Sequence, residues 1–185
     1  RIDHMRYLIL KFKNKINKDL NINEIIHDLF DPVKIMVKDE MMIIFTHQEK
    51  ETVYEILENL TTDLLTDIIA YVSNQDDENY EKIITYFNTE VLHQIILDEK
   101  KLLIHMIKEQ SHLVFKPEKL KNLSFEMLET AKIFLENNQN ISLAAKELFL
   151  HRNTLTQRLD KFNRITPFHL KQFKDAYLIY TLINK

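Results

Sequence analysis

The 185-residue chain is 45% hydrophobic and 29% charged, with a net charge of −3, which suits one large or two small globular domains. It has no cysteine, so disulfides, thiolate nucleophiles and sulfur-ligated zinc are excluded, and a reducing compartment such as the cytoplasm is expected. It also has no glycine, the residue that lets phosphate loops and dinucleotide fingerprints bring backbone close to phosphate, so nucleotide-dependent catalysis is not expected.

The net charge is unevenly distributed. Residues 1–115 carry 13 Lys+Arg against 21 Asp+Glu, a net of −8, whereas residues 116–185 carry 12 against 7, a net of +5. A basic C-terminal third on an acidic remainder hints at a polyanion-binding module joined to something else. The chain begins at Arg1 rather than Met and is read as a piece with an open N-terminus. No apolar run approaches the roughly 18 residues of a membrane span. Turns and helix ends that need positive φ must fall to asparagine and aspartate.

Taken in order, Tyr7–Phe12 is β-prone, and Ile22–Phe30 is helical through Ile22, Ile25, Ile26 and Leu29. Val33–Val37 and Met41–Thr46, joined by Lys38-Asp39-Glu40, read as a hairpin. Lys50–Thr62 is helical through Val53, Ile56, Leu57 and Leu60, Ile68–Val72 is a strand, and Glu78–Phe87 is a helix entered through Asp76-Asp77-Glu78. The order βαββαβ then helix predicts an α+β fold, a ferredoxin-like sheet with helices on one face. From Thr89 to Ser111 the spacing of Leu92, Ile95, Ile96, Leu102, Leu103, Met106 and Ile107 predicts one long connecting helix. Its apolar stripe packs on its own domain or forms a homodimer interface; spacing leaves both open. Residues 1–115 are thus expected to form a regulatory or dimerisation domain, residues 116–123, with Pro117, a linker, and residues 124–185 an all-α domain.

In that last segment Met127, Leu128, Ala131, Phe134 and Leu135 mark one buried helix face, stopped at Asn137-Asn138. Ser142 is expected to cap a short second helix, with Ala144 and Ala145 small enough for a close crossing and Leu148 and Leu150 in the core around a tight turn. A third helix starts at His151 or Arg152, with Leu155, Leu159 and Phe162 facing inward. Arg152, Asn153, Thr156, Gln157, Lys161 and Arg164 face outward. Those residue types are the ones a DNA reader uses: Arg pairs bidentately with guanine, Asn and Gln with adenine, and Thr, Lys and Arg hold phosphates.

The stretch Asn140-Ile-Ser-Leu-Ala-Ala-Lys-Glu-Leu-Phe-Leu-His-Arg-Asn-Thr-Leu-Thr-Gln-Arg-Leu159 resembles the C-terminal helix-turn-helix of PucR/CdaR-type bacterial transcriptional regulators, whose hallmark is Ala-Ala-x-x-Leu-x-x-His-Arg-Asn-Thr-Leu-x-x-Arg-Leu. With the helices at Met127–Leu135 and Ala176–Ile183, the resemblance covers residues 124–185. Thr166-Pro167 departs from the family's usual Thr-Gly. The resemblance implies a sequence-specific regulator, an activator of metabolic genes, that binds double-stranded DNA through residues 142–164. The DNA-binding set would be His151, Arg152, Asn153, Thr154, Thr156, Gln157, Arg158, Lys161 and Arg164. It further implies a degenerate GGDEF-like domain upstream, with the signature hairpin at Lys38-Asp39-Glu40-Met41 and no catalytic role.

The expected partners are DNA, a second copy of the chain and an unidentified small-molecule effector, with no enzyme activity. No cofactor or metal is expected: the eight histidines form no His-x-x-x-His pair, and His105 and His112, seven apart, lack a third ligand. The rival reading is a protein-interaction module whose helix-turn-helix no longer binds DNA.

Overall fold

A computed structural model describes residues 5–12, 21–63, 68–74, 79–89 and 95–184. The chain divides into two compact units, one ending at Leu113 and the other beginning at Val114.

The first unit is built on a five-stranded sheet. Strand β1 (Arg6–Phe12) is followed by helix α1 (Ile22–Phe30), strands β2 (Lys34–Lys38) and β3 (Met41–Thr46), helix α2 (Lys50–Asp63), strand β4 (Ile68–Val72), helix α3 (Tyr80–Thr89), strand β5 (Ile95–Asp98) and helix α4 (Glu99–Lys108). The strand order is β2-β3-β1-β4-β5. β1 runs antiparallel to β3 and β4, β2 antiparallel to β3, and β5 parallel to β4. The hairpin pairs Lys38 with Met41, and its two turn residues, Asp39 and Glu40, both take positive φ (50° and 62°), the backbone a two-residue connection requires.

Helices cover both faces of this sheet, where one covered face was expected. Leu8, Leu10, Met42, Ile44, Ile68, Ala70 and Val72 share a core with Ile26 and Phe30 of α1 and Val53, Leu57 and Leu60 of α2. On the other face Tyr7, Ile9, Ile43 and Tyr71 are equally buried. There the Tyr7 ring lies 5.8 Å from Tyr71 and edge-on, at 6.1 Å, to Tyr80 at the start of α3, while Lys11 Nζ donates to the Phe87 carbonyl. The cause is in the strands themselves: Leu8-Ile9-Leu10, Met41 to Ile44 and Ile68 to Val72 are continuous apolar runs, which need cover on two sides.

The long helix expected from Thr89 to Ser111 is not formed. Ile95 and Ile96 lie in β5, paired in register with Ile69 and Ala70, and the helix begins only at Glu99. Asp98 ends the strand and caps the helix, its carboxylate accepting the Lys101 N–H at 2.9 Å. Leu102, Leu103 and Met106 are fully buried inside this unit, so the stripe packs on its own domain. The Tyr86 hydroxyl meets His105 Nδ1 at 2.7 Å, tying α3 to α4. Leu92 and the Asp76-Asp77-Glu78 helix entry lie outside the described residues.

The second unit is helical: α5 (Glu118–Lys121), α6 (Phe125–Glu136), α7 (Ile141–Glu147), α8 (Arg152–Ile165) and α9 (Phe173–Ile183). The stretch expected as a linker contains α5, with Leu120 buried. Ser124 caps α6 by accepting the Met127 N–H, and Met127, Thr130, Ala131 and Phe134 form its buried face. α6 packs against α7, α8 and α9, making it the hub of the unit. α8 ends before Pro167, where Thr166 is forced into extended backbone (φ −120°, ψ 157°) and its hydroxyl donates to the Phe162 carbonyl at 2.9 Å.

Across both units, positive φ falls on Asp31, Asp39 and Asn138, as a glycine-free chain predicts, but also on Glu40, Gln110, Gln139 and Phe149. The geometry of the hairpin turn at Glu40 and of the helix ends at the other three therefore prevails over the side-chain preference.

Candidate nucleic-acid interface

Helices α7 and α8 form a helix-turn-helix supported by α6. Asn140, not Ser142, caps α7: its side-chain oxygen accepts the N–H groups of Ser142 (3.0 Å) and Leu143 (3.1 Å), leaving Ser142 inside the first turn. Both residue types cap well, and the helix simply begins two residues earlier than Ser142 would dictate. Ala144 and Ala145 are buried where α7 meets α8, as their size suggested. Leu148 and Leu150 are half-buried rather than core.

The turn closes through two backbone bonds, Phe149 N–H to the Lys146 carbonyl (3.2 Å) and Leu150 N–H to the Ala145 carbonyl (2.8 Å). That pattern needs a left-handed residue, and Phe149 supplies it at φ 55° with its ring 96% exposed.

His151 then caps α8, with Nδ1 accepting the Asn153 N–H at 3.3 Å. An accepting Nδ1 puts the ring proton on Nε2, which faces outward on an exposed side chain. Along α8 the inner row is Leu155, Leu159 and Phe162, all buried, at the expected spacings. His151, Arg152, Asn153, Thr154, Gln157, Lys161 and Arg164 are exposed. Thr156 is half-buried, and its hydroxyl donates to the Arg152 carbonyl at 3.0 Å. Asp160 adds one negative charge to this otherwise polar and basic surface.

Arg158 is placed differently. Its Nη2 lies 2.5 Å from Glu126 Oε1 and its Nη1 donates to Thr130 Oγ1 at 3.4 Å, so the guanidinium reaches back to α6. Neither Glu126 nor Thr130 entered the sequence reading, because nothing local links them to a residue some thirty positions later. The capping role of Asn140 was legible in principle, since an Asn immediately before a helical run is a capping signal, whereas His151 is not one of the residue types that announce a cap.

Residues 127–183 match the family of the PucR C-terminal helix-turn-helix domain. This segment is a PucR-type helix-turn-helix. The chain is 40% identical over 82 residues to the uncharacterized protein YxkF of Bacillus subtilis (strain 168), covering 44% of this chain and 26% of YxkF. It is 37% identical over 57 residues to the proline-responsive transcriptional activator PutR of the same organism, covering 31% of this chain and 14% of PutR. The chain therefore spans about a quarter or less of these relatives' length. A crystal structure of the regulator of polyketide synthase expression from Bifidobacterium adolescentis superimposes with a TM-score of 0.51 at 16% identity, covering 98% of this chain and 79% of that one, a likeness of fold. The resemblance to PucR-type regulators read from the Ala144 to Leu159 motif is borne out.

Among the described residues, no helix is long and apolar enough to cross a membrane, and no group of three or more His, Asp or Glu side chains is arranged to hold a metal ion.

Proposed function

We propose that this chain is part of a sequence-specific transcriptional regulator that docks α8 in the major groove of double-stranded DNA. The observation that carries the reading is the exposed row from His151 to Arg164 on a PucR-type helix-turn-helix. Arg152 and Asn153, in the first turn of α8, take the base edges, where helix-turn-helix proteins present their readers. Thr154, Thr156 and Gln157 extend that contact, and Lys161, Arg164 and the Nε2–H of His151 hold phosphates. Two relatives, PutR and the DNA-binding transcriptional activator AdeR, carry the word activator in their names, which supports activation rather than repression here.

The first unit serves regulation. The order β2-β3-β1-β4 with antiparallel neighbours supports a ferredoxin-like, degenerate GGDEF-like domain, and a hairpin of Asp39 and Glu40 without glycine supports a silent one that is not an enzyme. One helix-turn-helix offers a small reading surface, so the protein acts in the cytoplasm as a homodimer on two half-sites, under control of a small-molecule effector. Residues 124–185 are its DNA-binding domain and residues 1–115 its regulatory domain.

The test is selection of bound duplexes from a random pool by the purified chain. An enriched half-site repeated at about one helical turn supports the reading. A pool that returns unenriched sinks it.

A further inference from the structure

Among the basic side chains of α8, Arg158 is set apart by what it touches. Lys161 and Arg164 are exposed, whereas the Arg158 side chain is 27% exposed and has both terminal nitrogens committed. One meets the Glu126 carboxylate at 2.5 Å and the other donates to the Thr130 hydroxyl at 3.4 Å. That hydroxyl is itself buried and donates onward to the Glu126 backbone carbonyl at 2.7 Å. The result is a closed set of bonds from the middle of α8 to the first two turns of α6, on the flank of the Leu155 and Leu159 contact. A planar guanidinium can satisfy two acceptors in fixed directions at once, which a point charge cannot. Hydrophobic contact alone leaves a helix free to roll about its apolar row, and a directional bond removes that freedom.

We propose that Arg158 is a positioning residue: by clamping α8 to Glu126 and Thr130 it fixes the angle at which Arg152 and Asn153 meet the bases, and it does not itself neutralise a phosphate. This assignment rests on the DNA-binding reading above and replaces the direct DNA contact that the family resemblance implies for Arg158. It makes Glu126, an acidic residue facing a polyanion-binding helix, favourable for recognition rather than merely tolerated.

Phosphate contact and positioning predict opposite effects at Glu126. If Arg158 held a phosphate, Glu126→Gln would free its guanidinium and remove a negative charge, so every duplex would bind tighter. Under positioning, Glu126→Gln loosens the clamp, and affinity for the selected duplex falls by roughly three- to tenfold, inside the range that couplings between touching residues reach, while affinity for a scrambled duplex does not fall and the salt slope stays as in the parent. Arg158→Met should do the same, and the double variant should be no worse than either single one. Lys161→Ala, as a phosphate control, should lower the slope by about one.

The measurements are anisotropy titrations of the full chain against both duplexes at several salt concentrations, well below the melting temperature of each variant. Should Arg158→Met fail to fold, Glu126→Gln alone decides. Unchanged or tighter binding by Glu126→Gln, or a slope lowered by about one in Arg158→Met, overturns the assignment. A parent chain that enriches no duplex fails the DNA reading and takes this assignment with it. A parent that binds, responds to Lys161→Ala and ignores Glu126→Gln fails this assignment alone.

Discussion

The Asn153 N–H donates to Nδ1 of His151 at 3.3 Å, so one imidazole both starts α8 and fixes its own tautomer. A cap of this kind contributes about 0.5 to 2 kcal/mol. His151→Ala should lower the melting temperature accordingly, while His151→Asn, which also caps, should melt near the parent. The two substitutions separate folding from binding, because Asn retains the cap yet lacks the outward Nε2–H. His151→Asn is therefore expected to be stable and to bind all duplexes more weakly. Melting of His151→Ala at the parent temperature would show that the cap carries no weight.

Arg152 and Lys161 both project from α8, but from its first turn and from more than two turns along it. Arg152→Ala should weaken the selected duplex by about 1 to 3 kcal/mol and relax preference at one base position. Lys161→Ala should weaken selected and scrambled duplexes alike and lower the salt slope by about one. Equal loss on both duplexes for Arg152→Ala would place the base-reading residues elsewhere.

Leu155 and Leu159 stand at 0% and 3% exposure beneath that surface. Truncating either to Ala leaves a cavity against α6 and should cost about 2 to 5 kcal/mol of stability. Denaturant titration measures it, and a loss below about 1 kcal/mol would mean that the helix interface repacks.

What could be read from the sequence depended on how local the deciding interaction was. The inner row of α8 followed from spacing alone, because a buried stripe three and four residues apart suits little else. The hairpin at Asp39-Glu40 was equally local. The segment after Thr89 misled because Ile95 and Ile96 fit a helical stripe and a strand equally well, and only the vacant edge of β4 decided for the strand. The second covered face of the sheet was written in the unbroken apolar runs at Leu8 to Leu10 and Ile68 to Val72. The Arg158 clamp left no local trace at all, since Glu126 meets it only through the packing of α6 on α8.

Phe149 occupies a left-handed position that glycine or asparagine normally fills, with its ring almost wholly in solvent. Left-handed backbone costs an ordinary residue roughly 1 to 2 kcal/mol, and the exposed ring recovers little through packing. Phe149→Asn should therefore raise stability by about 0.5 to 1 kcal/mol, seen as a higher melting temperature. A lower melting temperature would show that the ring makes a contact worth more than the backbone strain.

Tyr54, on α2, gives the first unit a specific alkaline sensitivity. Burial pushes its phenol above the ordinary range, and the nearby negative charge of the Asp98 carboxylate pushes it the same way. Lys50 and Lys101 lie over the ring at 5.9 and 5.5 Å, but they do not reverse that direction. The folded protein thus keeps a proton that the unfolded chain surrenders near pH 10. Between those two titrations the folded state binds more protons, so stability is complete below about pH 10 and declines as pH rises above it. Tyr54→Phe removes the titrating group while keeping the ring. Measured by denaturant titration between about pH 8 and pH 11, the parent should lose stability more steeply than Tyr54→Phe, the difference arising only above about pH 10. Parallel declines in the two proteins would mean that the phenol titrates alike in both states, and that its burial against Asp98 does not govern the alkaline limit of the unit.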